Sequence, residues 1–146
     1  MTKVKWSICA ALAAFAALAV ACSGIQQGIQ AGKDAANLIT IGQVWTNYCN
    51  TNKKGPASAD DLMKSAANQS EKDAIQQIKD GHFEAQFNVD VTKPDAGGSG
   101  AMLVWTKNAN NGVYVVLMAD GHTTATLQEA EFKNKPKAKP TTGGKQ

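Results

Sequence analysis

Apolar and polar positions alternate along this chain in three distinct rhythms. From Ile8 to Ala21 the residues are small or apolar without a single charge, preceded by Lys3 and Lys5 and followed by Cys22. Further on, Leu38, Ile41, Trp45 and Tyr48 recur at i, i+3, i+7 and i+10 and share one helical stripe, with Ala31 and Ala35 on its N-terminal extension and Cys49 on the same face. This predicts a helix over 25–50. Gly28 and Gly32 mark a flexible tether or a break in register before its packed part. Ser58 and Asp61 have the spacing of a helix start, and Ser70 opens a further helix to Lys79. Phe83, Ala85, Phe87, Val89 and Val91 alternate with Glu84, Gln86, Asn88 and Asp90, the period of a strand with one wet face. After a glycine-rich loop (93–100), Ala101–Lys107 reads as a second strand. The Asn111-Gly112 pair is a hairpin turn. Val113–Ala119 is continuously apolar and reads as a central strand covered on both faces, and Asp120-Gly121 turns the chain into a strand over His122–Leu127. A short amphipathic turn follows over Gln128–Phe132. The order implies an α+β fold, an N-terminal helix packed on a small antiparallel sheet.

The segment Lys133–Gln146 has five lysines and two prolines but no large apolar residue, so it is expected to be a disordered tail, able to touch anionic surfaces. The domain division is therefore 1–21 signal, 22–35 tether and helix start, 36–132 folded domain and 133–146 tail.

The first rhythm is that of an export signal, with a lysine-bearing start and an apolar stretch too short for the roughly 20 residues of a spanning helix. Ala19 and Ala21 frame a small-residue cleavage site before Cys22. Leu18-Ala19-Val20-Ala21-Cys22 resembles the bacterial lipobox, although Ala19 stands where that motif carries leucine. The resemblance implies cleavage between Ala21 and Cys22 and a lipoprotein whose Cys22 carries acyl chains such as palmitate, two of which suffice for stable membrane anchoring. Ser23 after the cysteine favours the outer membrane by the same resemblance. The alternatives are free secretion and an uncleaved anchor. If Cys22 is acylated, Cys49 stays unpaired. If it is not, a Cys22–Cys49 disulfide would close a loop of 28 residues. Cys49 otherwise reads as a small buried hydrophobe.

Charge narrows the function classes. The chain has 15 lysines and no arginine against 12 carboxylates. Without Lys3 and Lys5 the excess falls to one, and the missing guanidinium forks argue against nucleic-acid recognition. No cofactor motif is present: Gly97-Gly98-Ser99-Gly100 is not followed by lysine or a helix, and Ser99 has no nucleophile elbow. His82 lacks neighbours at metal-ligand spacing. Asp120 and His122 could act as general base or as ligand or metal residues, but Asp-Gly is also what a tight turn needs. Trp45 and Trp105 read as core.

Residues 36–132 resemble the globular domain of type IV pilins and pseudopilins. The stretch Leu38 to Pro56 with Asp60-Asp61-Leu62 resembles the pseudopilin pattern of helix, Tyr, Asn, Gly-Pro and Asp-Leu, and Val115-Val116-Leu117-Met118-Ala119-Asp120-Gly121-His122 resembles the C-terminal signature of the pseudopilin-like DUF1559 family. The Gly-Phe-Thr-Leu-Ile-Glu prepilin motif and its long hydrophobic helix are absent, the lipobox-like signal standing in their place. Where that family carries a histidine before Asp-Gly, this chain has Asn110. The resemblance implies a non-catalytic protein of the bacterial cell envelope, lipid-anchored on the periplasmic or outer-membrane face and engaging a protein partner or serving structure. The alternatives are a small-ligand or glycan binding module on the sheet face around Trp105 and Tyr114, and a hydrolase using Asp120 and His122.

Overall fold

The computed structural model describes the backbone of residues 6–141 and the side chains from residue 28 onward. Lys3 and Lys5, the side chains of Ala21 and Cys22, and residues 142–146 lie outside the described part. Met1–Gly32 and Lys33–Gln146 are two separate compact units. Helix α1 is assigned over Trp6–Asn52. It stays helical at Gly28 and Gly32, where the sequence suggested a tether or break. A helical glycine costs only about 1 kcal/mol relative to alanine, and the surrounding Ala, Gln and Ile residues are compatible with a helix. Among the described residues no helix is long and apolar enough to cross a membrane.

In the second unit the stripe read from sequence is the buried face of α1: Leu38, Ile41, Trp45, Tyr48 and Cys49 are all buried, and Val44 widens it. The helix closes when the Lys53 amide donates to the Cys49 carbonyl (2.8 Å), with Lys53 in the left-handed region (φ 57°). Helix α2 (Ala59–Ser65) starts as expected, the Ser58 hydroxyl accepting from the Asp61 amide. The return bond reaches one residue further back, from the Ala57 amide to Asp61 Oδ2 at 3.0 Å. Helix α3 (Gln69–Lys79) is capped by Asn68, two residues before the expected Ser70. Asn68 Oδ1 accepts from the Glu71 amide, and Glu71 accepts from the Ala67 amide and Asn68 Nδ2. Asn68 with Glu71 three places on forms the reciprocal pair, whereas Asp73, three places after Ser70, accepts from Gln69 Nε2 (2.7 Å).

The sheet is an antiparallel meander in the order β1-β2-β3-β4, built from Phe83–Ala85, Met102–Thr106, Val113–Met118 and Thr124–Gln128. The fold is therefore α+β. An irregularity in β2 between Met102 and Val104 puts Met102 and Trp105 on the same face. With Tyr114, Val116, Met118, Ala125 and Leu127 they form an apolar layer packed by Phe132 of helix α4 (Glu129–Asn134). Leu117 points the other way, toward α1, where Gly42 sits directly against the Gly121 carbonyl. Any Cβ at Gly42 would collide with that backbone oxygen.

Two further expectations change. The strand predicted over 83–91 ends at Ala85, because the chain beyond it is drawn out of the sheet. Asn88 turns it (φ 61°), and the Val89 carbonyl accepts from Trp45 Nε1 (2.9 Å) and the Cys49 thiol (3.7 Å). Alternation cannot reveal that a helix claims those backbone acceptors. The segment from residue 133, expected to be a disordered tail, is ordered as far as Thr141. Lys133 and Asn134 finish α4, and the following segment pairs with Met102, whose amide donates to Pro136 and whose carbonyl accepts from Ala138. Thr141 then donates its amide to Asn88 and accepts from the Asp90 amide. Ala138 is 3% exposed. The segment needs no large apolar residue, because β1 stops short and leaves the backbone groups of Met102 for it to satisfy.

Candidate functional site

The tight connection between β3 and β4 holds the two residues singled out for chemistry. The Gly121 amide donates to the Met118 carbonyl (3.0 Å), and Gly121 takes φ 78°, a conformation that favours glycine. Asp120 Oδ1 accepts from the amides of His122 (3.0 Å) and Thr123 (2.8 Å). Burial raises the Asp120 carboxyl, but the hydrogen bonds from Thr123 and from the His122 and Thr123 amides outweigh it and hold the group below the usual aspartate range. His122 Nδ1 donates back to the Asp120 carbonyl (2.9 Å), while its Nε2 stands 3.7 Å from Asp120 Oδ2. The imidazole is 79% exposed and the carboxylate 16%. Oδ1 thus caps the turn, Oδ2 faces the imidazole, and the ring lies in solvent beside it. Among the described residues no group of three His, Cys, Asp or Glu side chains is placed to hold a metal ion.

A second acid–histidine pair escaped the sequence reading. Asp34 of α1 is buried, and its Oδ1 lies 2.9 Å from Nε2 of His82, the residue that leads into β1. His82 is anchored by its amide to Gln77, by its carbonyl to the Lys107 amide, and by edge contact with the Phe83 ring. A signal was available: Asp34 precedes Leu38 and Ile41 by four and seven residues, so it belongs to the apolar stripe, and a carboxylate there needs a partner.

Asp90 falls on the polar side of the Phe83–Val91 alternation, which predicts it on a wet face. It is buried, with Oδ1 accepting from the Thr92 amide (3.1 Å) and hydroxyl (2.6 Å). Next to it, burial pushes the Cys49 thiol up to about 11, with the Asp90 charge adding to the rise against a hydrogen bond from the Val91 backbone. Among the described residues Cys49 is a buried thiol without a disulfide, protonated at neutral pH.

Trp45 and Trp105 are both core residues. Trp45 stacks on Phe87 with centroids 5.6 Å apart. Trp105 donates Nε1 to Glu84 (3.1 Å), meets Phe132 edge-on, and carries Lys137 Nζ 4.6 Å from its ring centroid. Phe132 in turn stacks on Tyr114 at 3.9 Å. The sheet face around Trp105 and Tyr114 is accordingly roofed by α4 and the C-terminal segment. Compared with known protein families, characterised proteins and solved structures, the chain shows no match.

Proposed function

We propose that this protein is a lipoprotein of the bacterial cell envelope, cleaved before Cys22, anchored through acyl chains on that cysteine, and presenting a pseudopilin-like α+β domain that acts by protein–protein contact or as structure. The carrying observation is the sequence from Lys3 to Cys22, a charged start, an uncharged apolar stretch and a cysteine placed at the cleavage bond. A helix laid along a four-stranded antiparallel meander supports the pilin-like half of this reading. The two turn amides held by Asp120 Oδ1 support a structural role for that carboxylate.

Metabolic labelling with a palmitate analogue in a bacterial host tests the anchor. Label should enter the wild-type chain and be absent from Cys22→Ala, which should leave the membrane fraction. Equal labelling and equal fractionation of the two would overturn the reading.

A further inference from the structure

The loop between β2 and β3 ends in a tip made of Asn111 and Gly112, with φ of 52° and 77°. Two backbone bonds between Asn110 and Val113, 2.9 and 3.1 Å, close it, and the Glu129 amide donates to the Gly112 carbonyl. Asn111 is exposed, and among the described residues its side-chain amide makes no hydrogen bond and the Gly112 amide donates none. Glycine adds no side chain to shield that nitrogen. The two Asp-Gly pairs are built differently. The Gly81 amide donates to Ile78 and the Gly121 amide to Met118, and the Asp120 carboxylate is held by two amides.

We propose that Asn111 is a site of spontaneous covalent modification, deamidation through a cyclic imide. The Gly112 nitrogen attacks Cγ of Asn111, forming the N–Cγ bond. The bond from Cγ to Nδ2 breaks, and ammonia leaves, taking up the proton lost by the Gly112 nitrogen. Solvent water then opens the ring. Cleavage at Cγ gives aspartate in the normal chain, and cleavage at the backbone carbonyl gives isoaspartate, with the chain running through Cγ. Water is the only co-reactant and nothing is oxidised or reduced. The isoaspartyl product lengthens the turn by one backbone carbon and so disturbs the closure at Asn110 and Val113 and the Glu129 tie. Both products bring a carboxylate to a tip already bonded to the start of α4, whose first turn carries Glu129 and Glu131.

The full chain is incubated, folded, in mildly alkaline buffer and mapped by peptide mass spectrometry beside a urea-denatured sample. Asn111 should convert before any other asparagine in the folded chain, giving two products of equal mass that separate on chromatography, and more slowly as pH falls. The amides of Asn110, Val113 and Glu129 should lose protection from hydrogen exchange in the isoaspartyl form. Asn111→Gln, at an exposed position, should abolish the product pair without unfolding the protein. Conversion in urea with none in the folded chain would show that the turn protects the site and would overturn the proposal, as would isoaspartate forming first at Asp80 or Asp120.

Discussion

Replacing Asp120 by alanine separates a turn-capping carboxylate from a catalytic one. The substitution removes an acceptor that the amides of His122 and Thr123 reach at 3.0 and 2.8 Å. Hydrogen bonds to a charged group contribute about 1.5–3 kcal/mol each, but His122 and Thr123 are exposed and water can replace part of what they lose, so the expected cost for the pair is about 2 kcal/mol. For a unit of this size that corresponds to a fall in Tm of roughly 8 °C. Urea unfolding followed by tryptophan fluorescence measures it, because Trp45 and Trp105 are both buried. The pH dependence carries the sign. The folded-state carboxyl lies below the usual aspartate range, so its contribution is complete above that range and disappears as pH falls through the folded-state value. The gap between wild type and Asp120→Ala should therefore be full at neutral pH and narrow in acid. His122→Ala should change stability by less than about 0.5 kcal/mol, since a side chain 79% exposed at 3.7 Å is a weak ionic partner. A cost for Asp120→Ala under about 0.5 kcal/mol, or a gap that does not narrow in acid, would refute the capping argument.

Three further outcomes follow from packing. Gly42→Ala should destabilise by about 1–3 kcal/mol because its Cβ meets the Gly121 carbonyl, whereas Gly32→Ala, with open space around it, should be neutral or stabilise by up to about 1 kcal/mol; equal effects in urea unfolding would contradict the close approach of α1 to the turn. Cys49 should resist a thiol reagent in the folded protein and react fully in denaturant, and rapid native labelling would contradict its burial and raised thiol. Ala138→Asp should cost at least about 2 kcal/mol by placing a carboxylate where alanine is 3% exposed, and a neutral result would show that the C-terminal segment does not hold its place against Met102.

How far the sequence reaches depends on whether a pattern is local. The stripe from Leu38 to Tyr48, the Ser58 cap, the Asn111-Gly112 and Asp120-Gly121 turns and the apolar central strand all depend on neighbours within a few residues, and each has its counterpart in the fold. The expectations that changed depend on distant backbone groups. Phe83–Val91 alternates like a strand, yet Val89 is claimed by Trp45 from 44 residues away. Lys133–Thr141 is too polar to fold alone, yet it satisfies Met102, Asn88 and Asp90. Asp34 was legible in principle as a charge on an apolar stripe, but its partner His82 stands 48 residues on and no spacing rule connects them. The chemistry proposed for Asp120 and His122 was legible only as residue types. Which lone pairs the turn consumes is a matter of geometry.

The central claim concerns Cys22, and the intact mass of the protein extracted from membranes tests it most directly. The account predicts a chain that begins at Cys22 and carries added acyl mass, with Cys49 present as a free thiol. A mature chain of unmodified mass, a disulfide between Cys22 and Cys49, or a chain retaining residues 1–21 would contradict it.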